Sequence, residues 1–245
     1  MDATATNGEP EVQPASPVVV LLHGLLRSSS EMDYLARRIK RDLGWECHSL
    51  SYPSTSQPLE KLAEGVAEQL ESIAGAERPV WAVTHSMGGI VLRHLMQLEN
   101  NGGVNWAGAV MIGPPNHGSQ TARSISHFPG IGFFFSCLYG QAGMELAQEV
   151  AARETPWPDP PKPYGIIAGT TSVSLRNPVS WLTSTFCMLP GPGDGTVRLE
   201  ETMLPTMTDF ATIDCTHTLL PQDPRTATLV IDFLQQASFS MSAPA

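Results

Sequence analysis

The sequence predicts an α/β fold: a mostly parallel sheet of about six strands, with helices on both faces and a cap-like insert. Three observations carry this expectation. Short β-rich apolar runs alternate with segments of helical periodicity, as crossover units on a parallel sheet require. One such run, Val80 to Thr84, passes straight into a helical pattern through a serine followed closely by Gly88 and Gly89. A composition of 42% apolar and 16% charged residues is that of a globular chain, not a disordered or fibrous one.

The strands are expected at Val18 to Leu22, Glu46 to Ser51, Val80 to Thr84, Trp106 to Ile112, Tyr164 to Ala168 and Asp209 to Ile213. A first helix is expected from Ser29 to Asp42, capped by Ser28 or Ser29, with Leu35, Ile39 and Leu43 on one face and Gly44 as its stop. The second, from Leu59 to Ile73, places Leu62, Val66, Leu70 and Ile73 at helical spacing. A third starts just after Ser86 and carries Ile90, Leu92, Leu95 and Leu98 before two asparagines and two glycines break it. The last runs from Arg225 to Gln236.

At 245 residues the chain can bury one substantial core, so a single domain over 17–245 is expected behind a tail over 1–16. Two long connections break the rhythm of that domain, and compact domains seldom carry such loops unless they serve a function. Residues 116–163 hold an apolar cluster that includes Phe133 and Phe134, and they read as a cap-like insert. The opposing possibility is that these phenylalanines simply pack on the sheet. Residues 171–195 form the second connection, which ends in a turn-rich stretch.

The formal charge of -10, from 24 acidic and 14 basic residues, repels phosphate backbones, so nucleic acid is not an expected partner. The N-terminal stretch has neither a basic start nor an apolar run, which argues for a disordered tail over a signal peptide and for a cytoplasmic location. No apolar run approaches the roughly 20 residues of a membrane span. Four widely spaced cysteines, Cys47, Cys137, Cys187 and Cys215, offer no metal or redox pair. Buried free thiols are expected, with a Cys137–Cys187 bridge as the alternative for an exported protein.

Chemistry-bearing residues cluster at the ends of the expected strands. Ser86 lies where a strand turns sharply into a helix, which lifts its hydroxyl above the sheet and sets backbone N–H groups behind it. Thr84 departs from the G-x-S-x-G pattern at its first glycine, while Gly88 keeps the second. After the first strand comes His23-Gly24-Leu25, where the N–H groups of Leu25 and Met87 could together receive a developing oxyanion. His23 there is expected to brace its loop. In Gly193-Asp194-Gly195, Asp194 is the candidate acid, with Glu200, Glu201 and Asp159 as alternatives.

His217 follows the last strand and is the candidate base. Taken singly it could be an ordinary loop histidine, the reading given to His48, His94, His117 and His127. The chain order Ser86, Asp194, His217 separates it from them. His23, Gly24, His85, Phe133 and Phe134 are expected to border a substrate, and no residue pattern suggests a metal.

These segments resemble the small bacterial-type lipases and carboxylesterases of the α/β-hydrolase superfamily. The likeness runs from about Val18 to Leu234 and rests on VVVLLHGLLRSSSEM, VTHSMGGIVLRH, MIGPPNHGS, GDGTV and CTHTLL. It implies an α/β-hydrolase fold whose sheet begins at the strand carrying His23. It also implies Ser86 as nucleophile, His217 as base, Asp194 as acid and Leu25 and Met87 as oxyanion donors. A small-molecule or lipid ester is the implied substrate, with no cofactor. Because related enzymes include thioesterases and deacylases, a thioesterase or acyltransferase is the alternative, and a non-catalytic binding module on the same fold is the rival from another class.

Overall fold

Strands β1 (Val18–Leu22), β2 (Glu46–Leu50), β3 (Val80–His85), β4 (Trp106–Ile112), β5 (Tyr164–Gly169) and β6 (Asp209–Ile213) form one sheet in the order β2-β1-β3-β4-β5-β6. Every neighbouring pair is parallel. The structure is a computed structural model that describes residues 16–74, 78–117, 157–172 and 192–240. The expected tail up to residue 15, most of the expected insert with Phe133 and Phe134, and Cys137, Cys187 and His127 lie outside the described residues.

Alternation along the strands splits the core in two, because successive side chains point to opposite faces. Val18, Val20, Leu22, Ala82, Met111 and Ile166 face α2 (Leu59–Ala74) and α3 (Met87–Leu95). Val19, Leu21, Val83, Val110, Ile112 and Ile167 face α1 (Asp33–Leu43) and, at the other end of the chain, Ala227, Val230 and Phe233. With both faces covered, every residue of β1, β3 and β5 is buried. Their largely apolar sequences follow from that position.

The first helix differs from expectation at its start. Residues Ser29–Met32 form a 3-10 turn, and α1 begins only at Asp33. Ser28 does not cap it, because its hydroxyl hydrogen-bonds to that of Ser30 at 2.8 Å. At the other end Gly44 adopts φ 70°, where a Cβ would be disfavoured, and donates to the Lys40 carbonyl. Helix α3 stops at Leu95, one turn short of Leu98. A short helix that the sequence did not suggest, α4 (Leu199–Thr202), precedes β6, and α5 (Pro224–Gln236) follows it with Asp223 as a true N-cap.

From β1 the chain moves outward to β2 and then crosses back to place β3 on the other side of β1. This reversal opens a crevice beyond the carboxyl ends of β1 and β3, the usual place for a ligand in an open α/β sheet. Register brings the ends level, since Leu22 pairs with Thr84 and His85 with Ile112. The segments that follow Leu22, His85 and Ile112 therefore emerge at one edge.

Arg93 was not anticipated. It is 2% exposed in a helix whose nine residues are all buried. Its guanidinium donates to the carbonyls of Trp157 (2.7 Å), Pro158 (2.8 Å) and Asn116 (3.2 Å), and to Asn116 Oδ1 (3.2 Å). It also lies over the Trp157 ring at 5.4 Å. One cation thus ties together the two described ends of the 116–163 segment. Asn116 in turn donates to the Thr202 carbonyl at 2.7 Å. Among the described residues no helix is long and apolar enough to cross a membrane. We expect Arg93→Leu to strip donors from several buried carbonyls and lower stability by at least about 2 kcal/mol. Urea unfolding reads this directly, and a loss below about 0.5 kcal/mol would count against the clamp.

Candidate active site

The local chain path at Ser86 is unusual for a residue with a side chain. Its φ of 52° and ψ of -124° lie where a Cβ is strained, at a cost of about 1–3 kcal/mol that surrounding structure must impose. Two backbone bonds fix the turn: Ser86 N–H donates to the Ile112 carbonyl at 2.9 Å, and Gly89 N–H to the Ser86 carbonyl at 3.0 Å. Tight packing completes it. A Cβ on Gly88 would stand 2.5 Å from the Leu22 carbonyl oxygen and 2.8 Å from that of His23. Met87 and Gly88 thus lie directly against the end of β1.

Thr84, in the position expected for glycine, is fully buried. It fits because residue 89 has no side chain: a Cβ there would approach Met111 Cε to 2.6 Å and Thr84 Oγ1 to 3.3 Å. The second glycine of the Gly88-Gly89 pair makes room for the departure from pattern.

Three residues far apart in sequence meet above this turn. Ser86 Oγ lies 2.8 Å from His217 Nε2, and His217 Nδ1 lies 2.7 Å from Asp194 Oδ2. Because a carboxylate only accepts, Nδ1 donates to it, which leaves Nε2 to accept the serine proton. The other oxygen of Asp194 accepts the N–H groups of Thr196 (3.0 Å) and Val197 (2.8 Å). Asp194 also receives the His217 N–H at its carbonyl, so backbone and side chain both join the two loops. The three remaining acid candidates have other partners: Glu200 meets Arg198 Nη1 at 2.9 Å, Glu201 accepts the Arg198 N–H, and Asp159 lies 3.5 Å from Lys162.

Strand ends make space for the pair. Gly113, at φ 55°, follows β4, and a Cβ there would lie 3.2 Å from the His217 ring. Gly169 ends β5, where a Cβ would stand 2.7 Å from that of Asp194. Burial works against an imidazolium at His217, but the charge and hydrogen bond of Asp194 outweigh it and raise the pKa above its ordinary 6.5.

Leu25 follows Gly24 in the loop after β1, and Met87 follows Ser86. Met87 opens α3, where the first N–H groups have no partner within the helix. Gly24 brings the β1 loop close, since a Cβ on it would lie 3.3 Å from Ser86 Cβ. Two of the residues expected to border a substrate are buried. His23 is fully buried, stacked on Tyr52 at 4.1 Å with Nδ1 2.8 Å from the Gly24 carbonyl. Tyr52 hydrogen-bonds to the His23 carbonyl. His85 is 2% exposed, and its ring turns inward to Glu31 and the His217 carbonyl. His85 meets protein groups at both ring nitrogens, whereas His23 is held by the Tyr52 stack and through Nδ1, with Nε2 lacking a partner among the described residues.

Of the other histidines, His48 pairs with Glu46 at 2.8 Å, His94 faces Trp157 and His117 meets the Met203 carbonyl at 2.9 Å. Cys47 and Cys215 are free thiols, each pushed up to about 11 by burial. Among the described residues no cluster of His, Cys, Asp and Glu could hold a metal ion.

Two outcomes follow from this geometry. The His217 ring will titrate above pH 6.5, and Asp194→Asn will bring the midpoint down. Because the folded-state value is the higher one, the pairing stabilises fully below 6.5 and loses its effect as pH rises through the raised value. A ring-proton NMR titration with a parent midpoint at or below 6.5 would contradict the coupling. Gly88→Ala will cost about 1–3 kcal/mol by forcing the helix off the end of β1, and an unchanged denaturation midpoint would show that the contact gives way.

The comparisons with known proteins agree with this architecture. Residues 19–243 match the description "alpha/beta hydrolase family". A search of curated proteins finds no match. Among solved structures, the chain is similar to the mature form of a Bacillus licheniformis lipase, BlEst2, with TM-score 0.70 and 21% identity over 93% of this chain and 95% of that one. It is also similar to the Legionella pneumophila phospholipase PlaB, with TM-score 0.67 and 15% identity, covering 91% of this chain and 59% of that one. A third likeness is to the type II thioesterase BorB from the borrelidin biosynthetic cluster, with TM-score 0.53 and 15% identity, over 91% and 93%.

Proposed function

The chain belongs to the alpha/beta hydrolase family, and from that premise we propose that it is a serine hydrolase cleaving carboxylic esters through an acyl-serine intermediate. The observation that carries this reading is the unbroken hydrogen-bonded line from Asp194 through His217 to Ser86, at 2.7 and 2.8 Å. Such a line can move one proton off a hydroxyl while the hydroxyl oxygen attacks.

In the first step Ser86 Oγ bonds to the ester carbonyl carbon as its proton passes to His217 Nε2. The carbonyl π electrons move onto oxygen, and the N–H groups of Leu25 and Met87 receive that oxyanion. The intermediate then collapses, the C–O bond to the alcohol breaks, and His217 returns its proton to the leaving oxygen. Water repeats the sequence on the acyl-serine and frees the acid. Asp194 stays ionised throughout and stabilises the transient imidazolium. Its raising effect on His217 makes that residue a stronger proton acceptor, at the cost of requiring a higher pH to keep it neutral.

A thioester would pass through the same steps with a sulfur leaving group, and an acyltransferase would exclude water from the second. Both are kept as alternatives that a substrate panel separates. A non-catalytic module on this fold would leave the serine inert.

Ser86→Ala should abolish fluorophosphonate labelling and lower p-nitrophenyl ester turnover by at least about 10⁴-fold. In the parent chain kcat/KM should rise with pH through a midpoint above 6.5, because only neutral His217 accepts the proton. Retained turnover in a folded Ser86→Ala sample would overturn the nucleophile, and faster cleavage of acyl thioesters than of matched esters would favour the alternative.

A further inference from the structure

Behind the nucleophile lies a second buried acid–histidine pair that the reaction as written does not use. Glu31 sits in the 3-10 turn before α1, with its side chain 5% exposed. Its Oε2 accepts the Gly24 N–H at 2.9 Å and faces His85 Nδ1 at 3.1 Å, while Oε1 meets Arg27 Nε at 3.3 Å. The opposite ring nitrogen, His85 Nε2, lies 3.2 Å from the His217 carbonyl oxygen. A carboxylate and a carbonyl both only accept, so a ring nitrogen that hydrogen-bonds to either does so as the donor.

Three chain segments therefore converge on one carboxylate: the loop after β1, the residue before Ser86 and, through His85, the backbone of the candidate base. The charged and titratable groups around His85 are Glu31, Arg27 beyond it, His23 across the loop, and the His217–Asp194 pair, whose imidazole centroid is 4.9 Å away. Burial alone would raise the Glu31 carboxyl. The charge and hydrogen bond of His85, the Gly24 amide and Arg27 outweigh it and hold the group at about 2.

We propose that Glu31 is a positioning residue for the oxyanion loop, holding Gly24, and with it the Leu25 N–H, in register with Ser86 and His217 through His85. The proposal rests on the reading of Ser86 as a nucleophile. Its physical basis is that Glu31 holds the Gly24 N–H, while the Gly24 carbonyl, on the peptide plane that carries the Leu25 N–H, meets His23 Nδ1, so the backbone around Gly24 is tied on both sides. A donor displaced by about 1 Å can cost about 100-fold in rate.

The test uses the full chain with Glu31→Gln, Glu31→Leu and His85→Asn. Glu31→Gln is nearly isosteric and guards against misfolding of the apolar variant. On a p-nitrophenyl ester kcat should fall about 10- to 100-fold while KM stays within about threefold, because a displaced oxyanion donor is missed mainly in the transition state. Amide exchange at Gly24 should be at least about tenfold faster in Glu31→Leu than in the parent. Folded Glu31→Gln and Glu31→Leu proteins with kcat within about threefold of the parent would overturn the proposal, as would unchanged Gly24 exchange or a loss confined to KM. A parent chain that Ser86-directed fluorophosphonate does not label overturns the hydrolase reading itself. Normal labelling of the parent with parent-like rates in the variants overturns the positioning role alone.

Discussion

The turn at Ser86 is the constraint on which the upper edge of the molecule depends. A side chain is held at positive φ there, and the conformation persists only because both sides of the turn are immobilised. Behind it, β3 is buried along its whole length between β1 and β4. Ahead of it, α3 approaches β1 so closely that residue 88 has no room for a Cβ. The strain is local, whereas the packing that sustains it extends through both layers of the core. Once the turn is set, the serine hydroxyl, the first amides of α3 and the loop after β1 occupy one small volume, and the rest of the site is built toward it.

Two carboxylate–histidine pairs share that volume, and their surroundings give them different work. Asp194 receives two backbone amides on one oxygen and His217 on the other, which leaves the far nitrogen of His217 directed at a hydroxyl. Glu31 receives one amide and His85, whose far nitrogen meets a carbonyl. A hydroxyl has a proton to give and a carbonyl has none. The first pair is therefore suited to proton transfer in the proposed reaction, while the second is suited to holding backbone in place. The partner of the far nitrogen decides between them.

Arg93 does for the 116–163 segment what Glu31 does for the loop after β1. A guanidinium offers five N–H donors in a rigid fork, so one side chain can bind carbonyls from both ends of a long excursion. Helix α3 thus begins at the strained turn and, two turns later, anchors the segment expected to approach the site. The same short helix fixes both.

Much of this was legible in the residues. The central strands announce themselves because strands covered on both faces are largely apolar, and the chain order of Ser86, Asp194 and His217 at strand ends suggested which side chains would meet. The glycines at 88, 193 and 195 were visible too, since close backbone approach leaves few substitutes. What only the tertiary structure decided are the roles of Glu31, His85 and Arg93. In sequence Glu31 follows three serines with no pattern that marks it, His85 was expected to border a substrate, and Arg93 lies among apolar residues with no motif of its own. Their partners lie far away along the chain: Gly24 and His217 for the first two, Trp157 and Asn116 for the third. Periodicity reports which face a residue occupies. The acceptors that wait on that face are supplied by distant segments, and only the folded chain brings them there.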